Sequence, residues 1–319
     1  MYEQIRHNRR ASWLLMVVVV GLLAALGYVI GLAWTGSSSG GLGLLGLFGV
    51  AAIVWSLVGY YAGDRMALAV SGARQITHAD EPQLWNVVEE MTIAAGLAQP
   101  PAVYVIEDPA PNAFATGRDP AHSSIAVTRG LLEKLNRDEL QGVIAHEMSH
   151  VRNYDIRFAT LIGILVGLVA LIADVFLRSR WFGFGGRRDD GGGGAGVIVM
   201  VLAIAFAILA PLAARIVQFA ISRRRELLAD GTAVELTRNP LGLAGALQKI
   251  AADPNKLRAG NRATAHLYIA NPLRKVKDVA GLFDTHPPIQ QRIGLLLAMA
   301  HGEAAAAAVT PGDAAQIPA

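Results

Sequence analysis

Four long apolar stretches constrain this chain more than any other feature of its sequence. They cover approximately residues 12–34, 42–63, 158–177 and 197–219. Each is about 20 residues long, which is the length that an α-helix needs to cross the hydrocarbon core of a bilayer. Charged residues make up only 17% of the chain, against about 25% in a typical soluble protein. We therefore predict a membrane protein with four transmembrane helices.

The arginine clusters predict how the first two helices are oriented. Three arginines lie within residues 6–10, before the first stretch, and residues 223–225 are three more that follow the fourth. Such clusters mark the cytoplasmic ends of membrane helices. The uncharged linker 35–40 suits a tight turn on the far side, so the N-terminal tail and the chain after Gly63 are predicted to be cytoplasmic. No basic stripe is interleaved with aromatic residues, so we expect no nucleic-acid partner.

The second pair of apolar stretches is less regular. Its linker, residues 178–196, is rich in glycine and carries four arginines, which would lie outside if both stretches span the membrane. Asp174 also lies within the third stretch, where a charge is costly unless protein or water satisfies it. The pair either spans the bilayer or enters it only partly, and the sequence favours spanning.

The chain between the two pairs is predicted to fold as a small sheet with helices around it. Asp80 and Pro82 are typical of a helix start, with Asp80 as the cap, and Gly96 can end that helix. Strands are predicted at residues 102–107, 112–117 and 123–128. A further helix starts at Asn136, because Glu139 completes a capping box. Its predicted buried side and the hydrophobic staple at its start are formed by Leu135, Leu140, Val143, Ile144 and Val151.

This last helix contains His146-Glu147-Met148-Ser149-His150, which matches the pattern HExxH. Residues i and i+4 share one helix face, so His146 and His150 can both reach one Zn²⁺. Glu147 is placed to accept a proton from a water molecule at the metal and to pass it to the leaving amine. Two ordinary helix histidines are the alternative interpretation, but the capped helix with an apolar face favours the zinc site.

A third ligand is needed, because a catalytic zinc takes three protein ligands and keeps one open position. The chain has no cysteine, so only His, Asp or Glu can supply it. Glu226, which follows the fourth apolar stretch, is the predicted ligand, and Asp230, one turn further on, can hold the outer nitrogen of a ligand histidine. The alternative is that both acids pair with the arginines at 223–225. Both metal-bearing helices adjoin apolar stretches, which favours substrates at the membrane surface.

Four motifs together resemble the HtpX-type membrane zinc peptidases, which are gluzincins related to the CAAX prenyl endopeptidases. The resemblance covers nearly the whole chain, from Tyr2 to about Leu296. It is carried by Tyr2-Glu3-Gln4-Ile5-Arg6, Asn112-Ala113-Phe114-Ala115-Thr116-Gly117, the HExxH pentapeptide and Arg225-Glu226-Leu227-Leu228-Ala229-Asp230. The resemblance implies one Zn²⁺ per chain with His146, His150 and Glu226 as ligands, and Glu147 as the general base.

The resemblance also implies roles for two segments that the residues alone leave open. It implies that Asn112, Ala113, Phe114, Ala115 and Thr116 form a strand beside the cleft, which pairs with an extended substrate. Without it, an ordinary strand that turns at Gly117 is the simpler interpretation. His286, in Thr285-His286-Pro287-Pro288 upstream of Arg292, could stabilise the oxyanion or occupy the open metal position at rest. A structural role, with Pro287 starting the last helix, is equally compatible.

The fold predicted from these features is a mainly α membrane protein with four transmembrane helices and a zincin-like α+β catalytic domain with a small sheet. Residues 1–63 form the tail and first hairpin, 64–156 the first catalytic part, 157–214 the second transmembrane or re-entrant hairpin, 215–300 the second catalytic part, and 301–319 a disordered tail. As the resemblance implies, we expect a multi-pass protein of the bacterial inner (plasma) membrane, with its catalytic domain facing the cytoplasm.

The predicted function is zinc-dependent cleavage of misfolded or damaged membrane proteins, a quality-control activity that the resemblance implies. Its partners would be the lipid bilayer and membrane-protein or unfolded polypeptide substrates. One alternative is a processing protease with a narrow substrate range, but the prenyl-protein relatives usually carry more membrane helices. Another is an inactive, zinc-bound membrane scaffold, which would have no need of the base at Glu147.

Overall fold

The computed structural model describes residues 2–162, 223–258, 264–270 and 287–301. The chain divides into two compact units, one of Met1–Gly63 with Arg157–Ala220 and the other of Asp64–Ile156 with Ile221–Ala319. Most of the third apolar stretch, with Asp174, and all of the fourth lie outside the described residues, as does His286.

The first unit contains a hairpin of two long helices, α1 (Tyr2–Thr35) and α2 (Ser38–Val70), and the last residues of α2, from Asp64, belong to the second unit. The turn between them is shorter than the predicted linker, and Gly36 adopts a φ of 64° there. Glycines let the two helices approach closely, because a Cβ on Gly27 would lie 2.5 Å from the carbonyl oxygen of Leu44. Within the described residues, two segments are long and apolar enough to cross a membrane, Asn8–Leu32 and Ser38–Val70.

The second unit contains a four-stranded mixed sheet. Its strands are β1 (Ala73–Gln75), β2 (Ala102–Ile106), β3 (Ala113–Asp119) and β4 (His122–Thr128), in the spatial order β1-β2-β4-β3. Strands β2 and β4 are parallel, and the other two pairs are antiparallel. The three predicted strands are present to within two residues at each end. Strand β1 was not predicted, because it has only three residues and none of them is buried.

Helix α3 (Pro82–Ala94) lies between β1 and β2 in the chain. Helices α4 (Arg129–Lys134) and α5 (Arg137–Arg152) follow the last strand, β4. The predicted cap of α3 was wrong: Glu81 holds the N-cap position, and within the described chain its side chain makes no capping hydrogen bond. Asp80 instead accepts hydrogen bonds from the backbone N–H and the hydroxyl of Thr77, at 2.7 and 2.8 Å. The carboxylate closes the turn before the helix, so it does not cap the helix itself. Gly96 ends α3 with a φ of 67°, as predicted.

Helix α5 starts with the predicted capping box. The Asn136 side chain accepts a hydrogen bond from the Glu139 N–H at 2.9 Å, and the Glu139 carboxylate accepts one from the Asn136 N–H at 2.8 Å. The residues expected on its buried side are all in the main hydrophobic core, as are both residues of the predicted staple: Leu135, Leu140, Val143, Ile144 and Val151. The cap and the core together fix the axial position of the HExxH motif.

Three helices complete the second unit, α6 (Arg223–Thr237), α7 (Pro240–Ala252) and α8 (Ile289–Ala300). Helix α5 packs against α3, β3, α6 and α7, and α8 packs against α6 and α7. Because α5 lies at the centre of this arrangement, the side chains of His146, Glu147 and Met148 are almost completely buried.

We expect Gly142→Ala to destabilise the second unit by about 1–3 kcal/mol, the usual cost of overpacking. A Cβ on Gly142 would lie 2.6 Å from the backbone nitrogen of Leu243, so α5 and α7 would have to separate. Thermal unfolding in detergent measures the effect. Gly294→Ala is the matched control, because a Cβ there meets none of the described residues within 4 Å. Equal melting temperatures for Gly142→Ala and wild type would show that the two helices do not need this close approach.

Candidate metal centre

Helices α5 and α6 bring the three predicted metal ligands together. The Nε2 atoms of His146 and His150 are 3.2 Å apart. The carboxylate of Glu226 reaches both rings, with Oε2 at 3.7 Å from the His146 Nε2 and Oε1 at 3.7 Å from the His150 Nε2. One ligand atom from each residue lies within 4.8 Å of the other two. This spacing allows a single ion to contact all three groups.

The outer nitrogen of each histidine contacts a carboxylate. The Nδ1 atom of His146 is 3.0 Å from Asp230 Oδ1, and the Nδ1 atom of His150 is 3.0 Å from Asp155 Oδ2. Contacts of this kind fix the orientation and tautomer of a metal-binding imidazole, so that Nε2 faces the ion. The contact of Asp230 was anticipated from its position one turn after Glu226, whereas Asp155 was missed.

Asp155 reaches His150 because the chain turns sharply after α5. Tyr154 adopts a φ of 61°, which is uncommon for a residue with a side chain, and the backbone then returns toward the helix end. The available signal was an acidic residue within a few positions of the motif. Sequence periodicity could not reveal it, because Asp155 lies beyond the helix that ends at Arg152.

Each of the two aspartates is in turn close to an arginine. Arg292 of α8 donates to both oxygens of Asp230, from Nε at 2.8 Å and from Nη2 at 2.6 Å. The Nη1 atom of Arg225 lies 3.8 Å from Asp155 Oδ1. Arg292 had been noted in the sequence only as a companion of the segment around His286. The alternative in which Glu226 and Asp230 pair only with the arginines at 223–225 does not describe this geometry.

The charges of the site favour a bound divalent cation. Four carboxylates surround it, on Glu147, Glu226, Asp155 and Asp230, against the two guanidinium groups of Arg225 and Arg292. Among the described residues, four negative and two positive charges leave up to two negative charges in a buried region, where unbalanced charge is costly. One divalent cation would balance them, and the nitrogen and oxygen donors are suitable ligands for it.

Burial changes the protonation of the general-base candidate. Glu147 is 1% exposed, and its Oε1 atom has no hydrogen-bond partner among the described residues. Burial raises the pKa of Glu147 to about 7, and the charge of Glu226 adds to the increase. The nearby charge of His150 and the backbone N–H of Ala115 act in the opposite direction. A carboxylate with a pKa near neutrality is suited to accept and then release a proton.

The pKa values of His150, His146 and Asp230 are also shifted in the metal-free protein. Burial alone would lower the pKa of His150, but Asp155 and Glu226 outweigh burial and raise the pKa to about 9. Burial also lowers the pKa of His146, and there it prevails over the contact with Asp230. For Asp230, Arg292 and His146 outweigh burial and lower the pKa to about 2. The excess negative charge is therefore balanced in part by a proton on His150.

The strand predicted to bind substrate, β3, lies beside Glu147, and its first residues contact another part of the chain. The Ala113 carbonyl accepts a hydrogen bond from the Ile269 N–H at 2.9 Å. Phe114 forms an isolated antiparallel bridge with Tyr268, and their rings meet edge to face at 4.9 Å. Asn112 donates to the Ala270 carbonyl at 2.9 Å and accepts from its N–H at 3.3 Å.

The remaining part of β3 continues along the same sheet edge. Backbone groups of alternate residues face the same side of a strand, so Ala115 and Gly117 face outward like Ala113, whereas Thr116 faces β4. Gly117 has a φ of 144°, and a Cβ there would lie 2.8 Å from the Cα of Ser123. Substrate pairing along residues 112–116 stays a prediction, and residues 268–270 already occupy the first half of that edge.

Comparisons with known proteins agree with this geometry. Residues 78–300 match the family described as "Peptidase family M48". Curated relatives named "Protease HtpX homolog" are 43% identical over 297 residues in Lactobacillus acidophilus, covering 92% of this chain and 98% of the relative. In Ligilactobacillus salivarius the identity is 44% over 298 residues, covering 93% and 99%.

A solved structure shares the fold at lower sequence similarity. Ste24p of S. mikatae aligns with a TM-score of 0.50 and 17% identity, over 93% of this chain and 67% of that protein. The family match covers the HExxH helix, Glu226, Asp230 and Arg292, and the relatives align over nearly their whole length. The chain therefore belongs to peptidase family M48 and is a membrane-associated metallopeptidase.

Proposed function

We propose that this protein is an integral-membrane zinc endopeptidase that cleaves misfolded or damaged membrane proteins. The observation that carries the proposal is the position of Glu147. It is buried on the helix face between the group of His146, His150 and Glu226 on one side and the edge strand β3 on the other. A peptide laid along β3 would therefore present its backbone to both the base and the metal.

Zinc is the metal that the donor set favours. Two imidazole nitrogens with one glutamate oxygen form one of the common three-ligand sets of catalytic zinc, which leaves a position open for reaction. When bound, Zn²⁺ supplies Lewis acidity, which makes water more acidic and draws electrons from the scissile carbonyl. His146, His150 and Glu226 would hold the ion, and Asp230 and Asp155 would keep the two rings oriented.

Glu147 would move the proton during hydrolysis. Its carboxylate accepts a proton from the attacking water and passes it to the nitrogen of the leaving amine. Burial favours this exchange, because it raises the pKa of Glu147 toward neutrality, where one group can both gain and lose a proton. The N–H of Ala115 lies near the carboxylate, so the strand that binds substrate also helps to position the base.

The substrate would bind in an extended conformation beside Ala115 and Gly117. Strand addition uses the main-chain groups of the substrate, so it tolerates many side chains, which suits an enzyme that acts on unfolded segments. The first half of the β3 edge is held by residues 268–270 of the same chain. Substrate pairing is therefore proposed for the second half, with Asn112, Ala113 and Phe114 positioning the chain beside it.

The membrane arrangement completes the proposal. Two candidate spans are described, and the apolar stretches at 158–177 and 197–219 would add two more. The zincin-like catalytic domain would consist of residues 64–156 and 215–300, and the tail predicted at 301–319 lies, after residue 301, outside the described residues. The arginines before the first span support a cytoplasmic catalytic domain. The proposed location is the inner (plasma) membrane of a bacterium, the kind of organism from which the relatives come.

Metal removal tests the proposal directly. The protein is purified in detergent with a chelator, which also limits self-cleavage, and casein cleavage is measured before and after zinc is added. We expect cleavage to fall by at least about 100-fold in chelator, since the site loses its Lewis acid, and to return at one zinc per chain. Zinc content is measured by mass spectrometry on the same samples. Cleavage that persists in metal-free protein would contradict a zinc peptidase.

A further inference from the structure

Arg292 is the largest side chain that is fully buried in the described part of the chain, with an exposure of 1%. Burying a guanidinium group is costly, because its charge leaves water, and only good hydrogen bonds with a carboxylate compensate for the loss. An apolar residue would serve the packing of α8 equally well. The reason for a charged residue at this position must therefore lie in the hydrogen bonds that the guanidinium group makes.

Two nitrogens of the Arg292 guanidinium group bind Asp230, which in turn contacts the predicted metal ligand His146. Its Nε and Nη2 atoms bind the two oxygens of Asp230 at 2.8 and 2.6 Å, which is a bidentate arrangement. The Oδ1 atom of Asp230 lies 3.0 Å from Nδ1 of His146. With both of its oxygens held, Asp230 cannot rotate, and the imidazole ring that it contacts is held with it.

The third nitrogen of the guanidinium group is linked, through Ile269, to strand β3 beside the active site. The remaining terminal nitrogen of Arg292, Nη1, donates to the Ile269 carbonyl at 3.0 Å. The N–H of the same residue, Ile269, donates to the Ala113 carbonyl of β3 at 2.9 Å. The planar guanidinium group thus joins two parts of the site that come from distant regions of the sequence.

We propose that Arg292 is a positioning residue that holds His146 toward the metal and holds the β3 edge at a fixed distance from it. The inference rests on the proposed function, because it requires a metal at His146. Lysine cannot take over this role in full, since its single ammonium group lacks the planar fork that binds Asp230 and Ile269 together.

The principal test is Arg292→Lys, which keeps the buried charge. We expect zinc affinity, measured with a competing chelator, to fall about 10- to 100-fold, as when other residues that support a metal ligand are lost. The visible absorption spectrum of the Co²⁺-substituted protein should change, because the geometry at His146 changes. The KM for a peptide substrate should rise as well, because the strand that binds substrate loses its link. Arg292→Gln also removes the charge, so the changes in zinc affinity, Co²⁺ spectrum and KM should be larger in the part of this variant that folds.

A double-mutant cycle separates this role from a general structural one. Asp230→Asn should lower zinc affinity without the increase in KM, because it leaves the contact of Arg292 with Ile269 in place. The zinc-affinity losses of Asp230→Asn and Arg292→Lys should not multiply in full in the double variant, since both remove the contact between Arg292 and Asp230. Arg292 also has a weaker contact with a metal ligand, because its Nη1 lies 3.7 Å from Glu226 Oε2. Arg129→Lys is the matched control, because Arg129 pairs with Glu81 and Glu107 instead.

The results that overturn the inference differ from those that overturn the proposed function. Arg292→Lys with wild-type zinc affinity and an unchanged Co²⁺ spectrum would overturn the inference, and so would losses that multiply in the cycle. Melting temperature is measured in parallel, and a loss of stability without these changes counts against the inference as well. A wild-type protein that binds no zinc would instead contradict the proposed function.

Discussion

Replacing Glu147 with glutamine is expected to abolish peptide hydrolysis while leaving zinc bound. Glutamine has nearly the same shape but cannot accept a proton from water, and losing a general base costs about 10²- to 10⁴-fold in rate. The large effect is expected because, of the four described carboxylates at this site, Glu147 is the one without an ion-pair partner among the described residues. Glu226 lies between the histidines, and Asp155 and Asp230 each contact both a histidine and an arginine.

The measurement is the kcat for a peptide or casein substrate, with zinc content determined on the same preparations. Glu133→Gln is the matched control, since Glu133 is an exposed residue of α4. It should keep the wild-type rate. If the wild type and Glu147→Gln have the same kcat, a different group, or a contaminant, performs the hydrolysis. If both bind zinc and neither cleaves a broad panel of substrates, the scaffold or narrow-substrate alternatives gain support.

Replacing Glu226 with glutamine is expected to remove both zinc and activity. The amide oxygen is a weaker ligand than the carboxylate, and the buried site also loses a negative charge that balances the cation. We expect zinc affinity to fall by more than about 100-fold, beyond the loss typical of residues that only support a ligand. Competition with a chelator measures this change, and proteolysis of casein is followed in parallel.

Two further variants distinguish a ligand from a residue that only pairs with arginine. Glu235 lies on the same helix as Glu226, α6, but its side chain is exposed. The Glu235→Gln variant should therefore bind zinc as tightly as the wild type. Glu226→His should regain part of the zinc affinity, because imidazole also completes a three-ligand zinc site. If Glu226→Gln binds zinc normally, or if histidine restores nothing, Glu226 is not the third ligand.

The parts of the site that were predictable are those held by local sequence. The capping box of Asn136 and Glu139 sets the start of α5, and helical spacing then places His146 and His150 on one face. Similarly, Glu226 and Asp230 lie one turn apart on α6, so either both face the histidines or neither does. These relations depend on residues within a few positions of each other, and they follow from helix geometry alone.

The parts that were not predictable depend on tertiary contacts. Arg292 is 62 residues from Asp230, and no periodic pattern connects them. The pairing of residues 268–270 with the start of β3 is a contact between segments more than 150 positions apart. Asp80 shows that prediction from residue type can also fail locally. Aspartate is a good helix cap, but the carboxylate of Asp80 is engaged in a turn with Thr77 instead.

The order in which the site residues occur along the chain has a consequence for synthesis. A ribosome completes α5, with the base and two histidines, long before it reaches Glu226, and Arg292 comes only near the end of the described chain. A growing chain therefore has the motif without the third ligand or the arginine that holds Asp230. The proteolytic activity should appear only when translation has passed α8. Chains from interrupted synthesis would then be inactive fragments rather than uncontrolled proteases at the membrane.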